Sequence, residues 1–302
     1  CTMCPNSALP PSDKTNMPFS LFQQIIDEAK GVVHDVNLHH RGEPLLNPHL
    51  PQMIAYAKKK GIKTRLHTNA TLLSRARASD ILSAGPNLIS VSFDGFTKET
   101  YETVRKGAAF EETVTNILNL LHEKKKKDTT TYIIVERIDF PDLTRAADSP
   151  AVLALEKRLR DSGIDEIITK QQFDWAIPSQ PPRAEPPSGA CTFPWYTMVI
   201  CSDGTVTPCP QDYMAELQMG NVTEKSLSEI WNDVPYQNLR RQLAQDIDTL
   251  PLCRNCDRLQ RRRTGGVPYQ YLTPFLLDVF AGYGTIRKRI GSFERNRIKE
   301  NT

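Results

Sequence analysis

Two hydrophobic rhythms alternate along the first 171 residues. Phe19, Leu21, Phe22, Ile25, Ile26 and Ala29 recur at helical spacing with polar residues between them, which predicts a helix over 18–29 closed by Gly31. An extended apolar stretch over 32–39 predicts a strand that ends at His40-Arg41-Gly42-Glu43-Pro44. The cycle then repeats: a helix over 48–60, a strand over 62–67 ending at Thr68-Asn69, and a helix over 72–84 stopped by Gly85-Pro86. A strand over 88–93 ends at Asp94-Gly95, and helices follow over 98–105 and 111–125. The β-branched stretch 129–135 predicts a strand ending at Glu136-Arg137. A helix within 150–161, then Gly163, leads to a strand over 166–169 that runs into Lys170-Gln171-Gln172.

Strands that alternate with helices imply parallel pairing through crossovers, an α/β class. Five such strands are visible, so the pattern fits a partial (β/α)6 TIM-like barrel whose first strand would lie upstream of Cys1. In such barrels the C-terminal strand ends carry the active face. Polar residues recur there: Gly42-Glu43, Thr68-Asn69, Ser92 with Asp94, Glu136-Arg137 and Gln171-Gln172. Any one of them reads as loop polarity or helix capping, whereas the recurrence after successive strands points to a shared site. The run Lys124 to Lys127 reads as a solvated helix end, its cations complementing the helix dipole.

The texture changes after residue 175. Five prolines within 176–190 suit an extended linker. Beyond it, Ser202-Asp203-Gly204 between short apolar runs at 197–200 and 205–207 signals a hairpin. Helices over 226–231 and 237–247 then lead to Cys253-Arg254-Asn255-Cys256. The organisation is thus a barrel over 1–175, a linker over 176–190, a small cysteine-rich α+β domain over 191–257 and a basic tail over 258–302. Phe173, Asp174, Trp175, Trp195 and Tyr196 fall near the junction and read as packing.

Composition narrows the function classes. Of 302 residues, 39% are hydrophobic and 24% charged, which suits a folded globular protein. A net charge of +3 gives no basis for nucleic-acid binding. No apolar run, including 274–280 in the tail, approaches the ~20 residues of a membrane span. The seven cysteines sit at 1, 4, 191, 201, 209, 253 and 256, clustered at the two ends, two pairs having CxxC spacing. That distribution favours metal or iron–sulfur ligation in a reducing cytoplasm over a disulfide framework. Cys191, Cys209, Cys253 and Cys256 suit a four-thiolate site for either zinc or a cubane cluster, with Cys201 a bystander in the hairpin. Cys1 and Cys4 alone are compatible with a metal centre, a redox pair or neither. A chain that opens on Cys reads as a fragment of something longer.

Several motifs in order give a resemblance. Cys1-Thr2-Met3-Cys4 matches the last two cysteines of the CxxxCxxC signature of radical S-adenosylmethionine enzymes, placing the first four residues before Cys1. Arg41-Gly42-Glu43-Pro44 is similar to that family's GGEP motif, with Arg41 in place of the first glycine. The segment 90–95 resembles its fourth-strand motif, continued by Thr100-Tyr101, Arg105-Lys106-Gly107 and Phe110. Cys191, Gly204, Cys209, Gly220-Asn221, the segment 227–231 and the final CxxC resemble a SPASM or twitch auxiliary domain with one cluster. The resemblance implies a radical-generating 4Fe–4S cluster on Cys1, Cys4 and an upstream cysteine, and an auxiliary iron–sulfur cluster on the other four. It implies S-adenosylmethionine held near Gly42, Glu43 and Pro44, with Asn69, Ser92 and Asp94 as further contacts. The implied activity is cleavage of S-adenosylmethionine to a 5′-deoxyadenosyl radical that abstracts hydrogen from a peptide or small polar substrate, fed by flavodoxin or ferredoxin. The competing expectation is a non-catalytic zinc or iron–sulfur electron-transfer module.

Overall fold

The computed structural model describes residues 1, 4–139, 149–171, 191–254, 256, 263–264 and 267–268. Its centre is a parallel sheet in the order β1 (Asp35–Asn37), β2 (Lys63–Thr68), β3 (Leu88–Ser92), β4 (Tyr132–Asp139) and β5 (Glu166–Gln171). The strands follow one another in chain order, joined by helical crossovers, as the alternating rhythm requires. The crossover helices are α2 (Leu50–Lys59), α3 (Arg75–Ala84), α4 (Lys98–Val104) with α5 (Phe110–Lys127), and α6 (Pro150–Ser162); α1 (Phe19–Ala29) precedes β1.

The two faces of this sheet differ in chemistry. One carries Leu66, Ile89, Val91, Phe93, Ile133 and Val135, all buried against Leu50, Ile54, Ile81, Ile117, Leu120 and Leu159 of the helices. Residues one step out of phase, Arg65, His67, Ser90, Ser92, Glu136 and Lys170, are mostly polar and belong to the other face. At the N-terminal end of that second face, Leu88, Tyr132 and Ile134 close a small apolar plug with Ile168. The inner face is therefore apolar below and polar toward the strand ends.

A second core belongs to the cysteine-rich part. A three-stranded antiparallel sheet, β6 (Val199–Ile200), β7 (Thr205–Thr207) and β8 (Gly220–Asn221), packs with α7 (Leu227–Asn232) and α8 (Val234–Gln245). Val206, Ile230, Tyr236, Leu239 and Leu243 form its centre, and Cys191, Cys253 and Cys256 pack against it. The short helix α9 (Pro251–Arg254) carries Cys253, and a strand pair, β9 (Arg263–Thr264) and β10 (Val267–Pro268), lies further on. Helix α1 serves both parts: Phe22, Ile26 and Ala29 meet Met53 and Ala57 of the first, while Ile25 enters the second core. This double use explains its broad apolar stripe.

Several expectations need correction. Val32 and Val33 do not begin a strand: their N–H groups bond back to Ala29 O as the closing turn of α1, and Val32 is 85% exposed. Helix α3 starts at Arg75 because the Ser74 hydroxyl caps it, accepting from Arg77 N. Strand β4 runs to Asp139, so Glu136 and Arg137 lie within it rather than at its end. Helix α8 starts three residues earlier than expected, where Asp233 caps it and a proline fills the first turn. β8 went unforeseen because two residues give no alternation to read. The lysine run is more than a solvated end: Lys124 is ion-paired with Asp165, and Lys127 Nζ bonds Ser83 Oγ at 2.8 Å. Trp195 and Tyr196 are about half exposed rather than packed. Gln172, Phe173, Asp174, Trp175, the linker 176–190 and the apolar run 274–280 lie outside the described residues.

Candidate active site

The turn after β1 is built around one carboxylate. Gly42 takes φ +71°, in the left-handed region, and turns the chain so that Glu43 points back at the next strand end. Glu43 Oε1 accepts from Leu45 N at 3.1 Å and from Thr68 Oγ1 at 2.7 Å, and Oε2 accepts from Asn69 N at 2.8 Å. Pro44 opens the 3-10 turn Pro44–Leu46 that Glu43 caps. Burial pushes the Glu43 carboxyl up, against the pull of its three donors. Glu43 thus ties the ends of β1 and β2 together while remaining half-buried. Asn69 sits beside it, but its Oδ1 is held by Thr71 N and Thr71 Oγ1 at 2.9 and 2.7 Å.

Asp94 has a different fate. It is 1% exposed, Oδ2 accepts from Arg105 Nη2 at 2.6 Å, and Oδ1 accepts from Ile138 N at 3.1 Å. Arg105, part of the motif resemblance that follows β3, is 8% exposed and belongs to this pair. Both carboxylate oxygens of Asp94 are engaged inside the fold, where they brace the β3–α4 turn to β4. Ser92, half-buried at the end of β3, pairs in register with Glu136.

The polar inner face holds residues that sequence reasoning passed over or ranked low. The His39 and His67 rings lie 4.1 Å apart, and His67 Nδ1 is 4.0 Å from Glu136 Oε2, which also accepts from Lys170 Nζ at 2.6 Å. Burial, with Lys170 and Arg65 adding repulsion, pushes His67 down to about 3, so its imidazole is neutral near pH 7. His39 is pushed down by the same cause. Ser90 Oγ and His39 Nδ1 are buried without a hydrogen-bond partner among the described residues. Strand alternation was the signal that could have found His67, Ser90 and Glu136 as one face.

All seven cysteines lie among the described residues and none is in a disulfide. Cys1 and Cys4 close a turn, Cys4 N donating to Cys1 O at 3.3 Å, and Cys4 leads into the 3-10 turn Pro5–Ala8. Cys191, Cys209, Cys253 and Cys256 are brought together: burial first, and then the charges of the other thiols, push Cys209 up to about 12. Cys253 is raised in the same way. Four thiols crowded over an apolar core are costly as bare thiolates, and a multinuclear cationic centre offsets both desolvation and repulsion. Among the described residues no three metal-ligating side chains are already gathered for a single ion. The all-thiolate donor set on an apolar core fits an iron–sulfur cluster. Cys201 stands apart in the hairpin turn, its charged surroundings being Arg41, Asp203, Asp212 and Asp13.

Comparison with known proteins gives the class. The sequence model of the radical SAM superfamily matches residues 1–146, and that of SPASM, an iron–sulfur cluster-binding domain, matches residues 191–257. The chain belongs to the radical SAM superfamily and carries a SPASM auxiliary domain. Its cofactors are accordingly S-adenosylmethionine and 4Fe–4S clusters. Among its relatives, the S-adenosyl-L-methionine-dependent 2-deoxy-scyllo-inosamine dehydrogenase of Niallia circulans is 21% identical over 86% of this chain and 88% of that protein. A PqqA peptide cyclase of Granulibacter bethesdensis is 24% identical over 78% of this chain and 70% of that one. The Fe-coproporphyrin III synthase of Methanosarcina barkeri is 36% identical, but over 28% of this chain and 21% of its own length. Two solved structures share the fold: native anSMEcpe with bound AdoMet, with TM-score 0.59, 14% identity and coverage of 92% and 95% of the two chains, and BtrN in complex with AdoMet and 2-DOIA, with 0.54, 19%, 89% and 92%. No helix among the described residues is long and apolar enough to cross a membrane.

Proposed function

We propose that the protein oxidises a small polar substrate by hydrogen-atom abstraction, in a reducing cytoplasm and with a flavodoxin or ferredoxin as electron donor. The observation that carries this reading is the polar inner face. His39, His67, Ser90, Ser92, Glu136 and Lys170 offer hydrogen bonds toward the strand ends where a barrel of this kind would otherwise be filled by aliphatic side chains. S-adenosylmethionine, bound to a reduced cluster, supplies the radical that removes the hydrogen.

The chain's own groups supply position. In this reading Cys1 and Cys4 ligate the radical cluster, and Cys191, Cys209, Cys253 and Cys256 the auxiliary one. The Gly42–Glu43–Pro44 turn presents backbone and carboxylate acceptors to the methionine ammonium, a charge-assisted contact. Ser92 meets the nucleoside side, while Asn69 and Asp94 act by holding the turns. Neutral His67 and His39 can accept a hydrogen bond from a substrate hydroxyl, with Glu136 beside them; the second electron of the oxidation would pass to the auxiliary cluster and the hydroxyl proton to water. The dehydrogenase relative, matched over nearly its whole length, supports the small-substrate reading. A peptide substrate is the second reading, favoured by the similarity to the peptide cyclase.

The test is anaerobic: full-length enzyme, iron loaded, is incubated with deuterated amino alcohols and with peptides, and 5′-deoxyadenosine is analysed for deuterium. Transfer from the small substrates alone supports the proposal, and transfer from peptides alone moves the assignment to the second reading. Stoichiometric zinc with no cleavage of S-adenosylmethionine would overturn both.

A further inference from the structure

Several contacts join the SPASM part to the first part of the chain, among them Thr15 Oγ1 with Ser202 Oγ at 2.8 Å. Along α1, Gln24 Nε2 donates to Val222 O and Glu28 accepts from Leu227 N, contacts that join the parts but reach neither candidate cofactor loop. Another contact centres on the segment after Cys209. Asp212, fully buried, accepts from Glu216 N and Leu217 N, both at 2.9 Å, and folds the segment after Cys209 back on itself. That turn sends Tyr213 into the other half of the protein, where it is 4% exposed.

Two side chains of the turn after β1 hold it there. His40 Nε2 lies 3.1 Å from Pro210 O, and Arg41 Nε donates to Tyr213 O at 2.8 Å. The His40 ring and the Arg41 guanidinium flank the Tyr213 ring at 5.5 and 5.9 Å. At the far end of that ring the hydroxyl meets three groups. It donates to Asn6 Oδ1 at 3.2 Å, two residues from Cys4, and the Cys4 side chain and the Gly42 N–H both lie close enough to act on it. One phenol therefore joins the loop of Cys4, the turn of Gly42–Glu43 and, four residues back along its own chain, Cys209. The same contacts give Arg41 a purpose at the place where the family motif has glycine: its guanidinium reaches across to the SPASM loop.

We propose that Tyr213 is a positioning residue for the radical cluster and for S-adenosylmethionine, anchored by Arg41 and delivered by the auxiliary-cluster loop. The inference rests on the radical SAM reading of Cys4 and of the Gly42–Glu43 turn. An O–H directed at a cluster thiolate lowers the electron density on its sulfur, a recognised lever on cluster potential. Its place beside the Gly42 N–H supports the backbone on which the acceptors for S-adenosylmethionine stand. Cluster electronics and ligand affinity should then respond together to one hydroxyl.

The experiment uses the full-length enzyme with both clusters loaded. Tyr213→Phe keeps the ring and its packing and removes only the hydroxyl. The readouts are iron and sulfide per chain, the electron paramagnetic resonance signal of the reduced radical cluster with and without S-adenosylmethionine, and the affinity for S-adenosylmethionine. The expected result is unchanged iron, a shifted signal and about tenfold weaker binding. Arg41→Ala should reproduce the binding defect, and Arg41→Lys, which keeps a donor for Tyr213 O, should recover part of it. Wild-type signal and affinity in Tyr213→Phe would overturn the proposal. So would loss of iron with an unchanged signal per remaining cluster, which marks a structural role only. A wild-type enzyme whose signal ignores S-adenosylmethionine would instead bring down the underlying radical SAM reading.

Discussion

Two strand-end turns pair a glycine with a carboxylate, Gly42-Glu43 after β1 and Asp94-Gly95 after β3, and they are put to opposite uses. Glu43 is half-buried and held by backbone N–H groups and one hydroxyl, all neutral donors. No ion pair is made to it among the described residues, although the Arg105 charge also pulls on it. Asp94 is buried against Arg105, its charge cancelled within the fold. The glycines differ in parallel. A Cβ on Gly42 would meet nothing within 4 Å, so only its φ calls for glycine, whereas one on Gly95 would lie 2.8 Å from Tyr101 N and 2.7 Å from Thr100 Cγ2. The comparison teaches that a charged residue at a barrel strand end is a ligand contact only when the fold leaves it unmatched.

The sharpest way to break this contrast is Asp94→Ala. It leaves Arg105 buried without its partner and should cost about 3 kcal/mol in urea unfolding, against under about 1 kcal/mol for Glu43→Gln. The double variant Asp94→Leu, Arg105→Met should recover most of that loss, because it removes both charges. Binding reverses the ranking: Glu43→Gln should weaken S-adenosylmethionine at least about tenfold, or about 1.4 kcal/mol, in equilibrium binding of the loaded enzyme. An unaltered affinity would return Glu43 to a purely structural role. Among the glycines, Gly95→Ala should cost about 2 kcal/mol or more, since backbone must move, while Gly42→Ala should cost about 1 kcal/mol from its left-handed φ alone.

A smaller effect lies in pH. His67 is pushed down to about 3 and His40 to about 4, so between those values and about 6.5 the unfolded chain binds protons that the folded chain does not. Stability must therefore fall as pH drops through this window, and the loss is absent above about 6.5. Thermal melts from pH 7 to 4 should show a slope that His67→Gln and His40→Gln flatten. An equal slope in the variants would place the acid sensitivity elsewhere.

Much of the first half was legible because its information is local. Helical and strand rhythms needed no partner to be read, and glycines marked the element ends. The errors fell where local signals compete: Val32 and Val33 look like strand residues but close a helix, and Glu136 looks like a strand end but sits within β4. Gly42, Glu43 and the cysteines could be nominated from motif spacing alone. The pairing of His67 with His39 could not be, since no neighbour in sequence reveals that a ring of β2 and one just past β1 stand 4.1 Å apart.

What the sequence determined by itself was the repeating strand–helix order, the clustering of seven cysteines at the two ends and the motif-bearing turns. Each is a property of spacing along the chain. Only the tertiary structure decided which strand-end carboxylate is neutralised, which sheet face is polar, and where Tyr213 ends up. Those outcomes depend on what stands opposite a residue, and for Tyr213 the opposite group, Asn6, is 207 positions away.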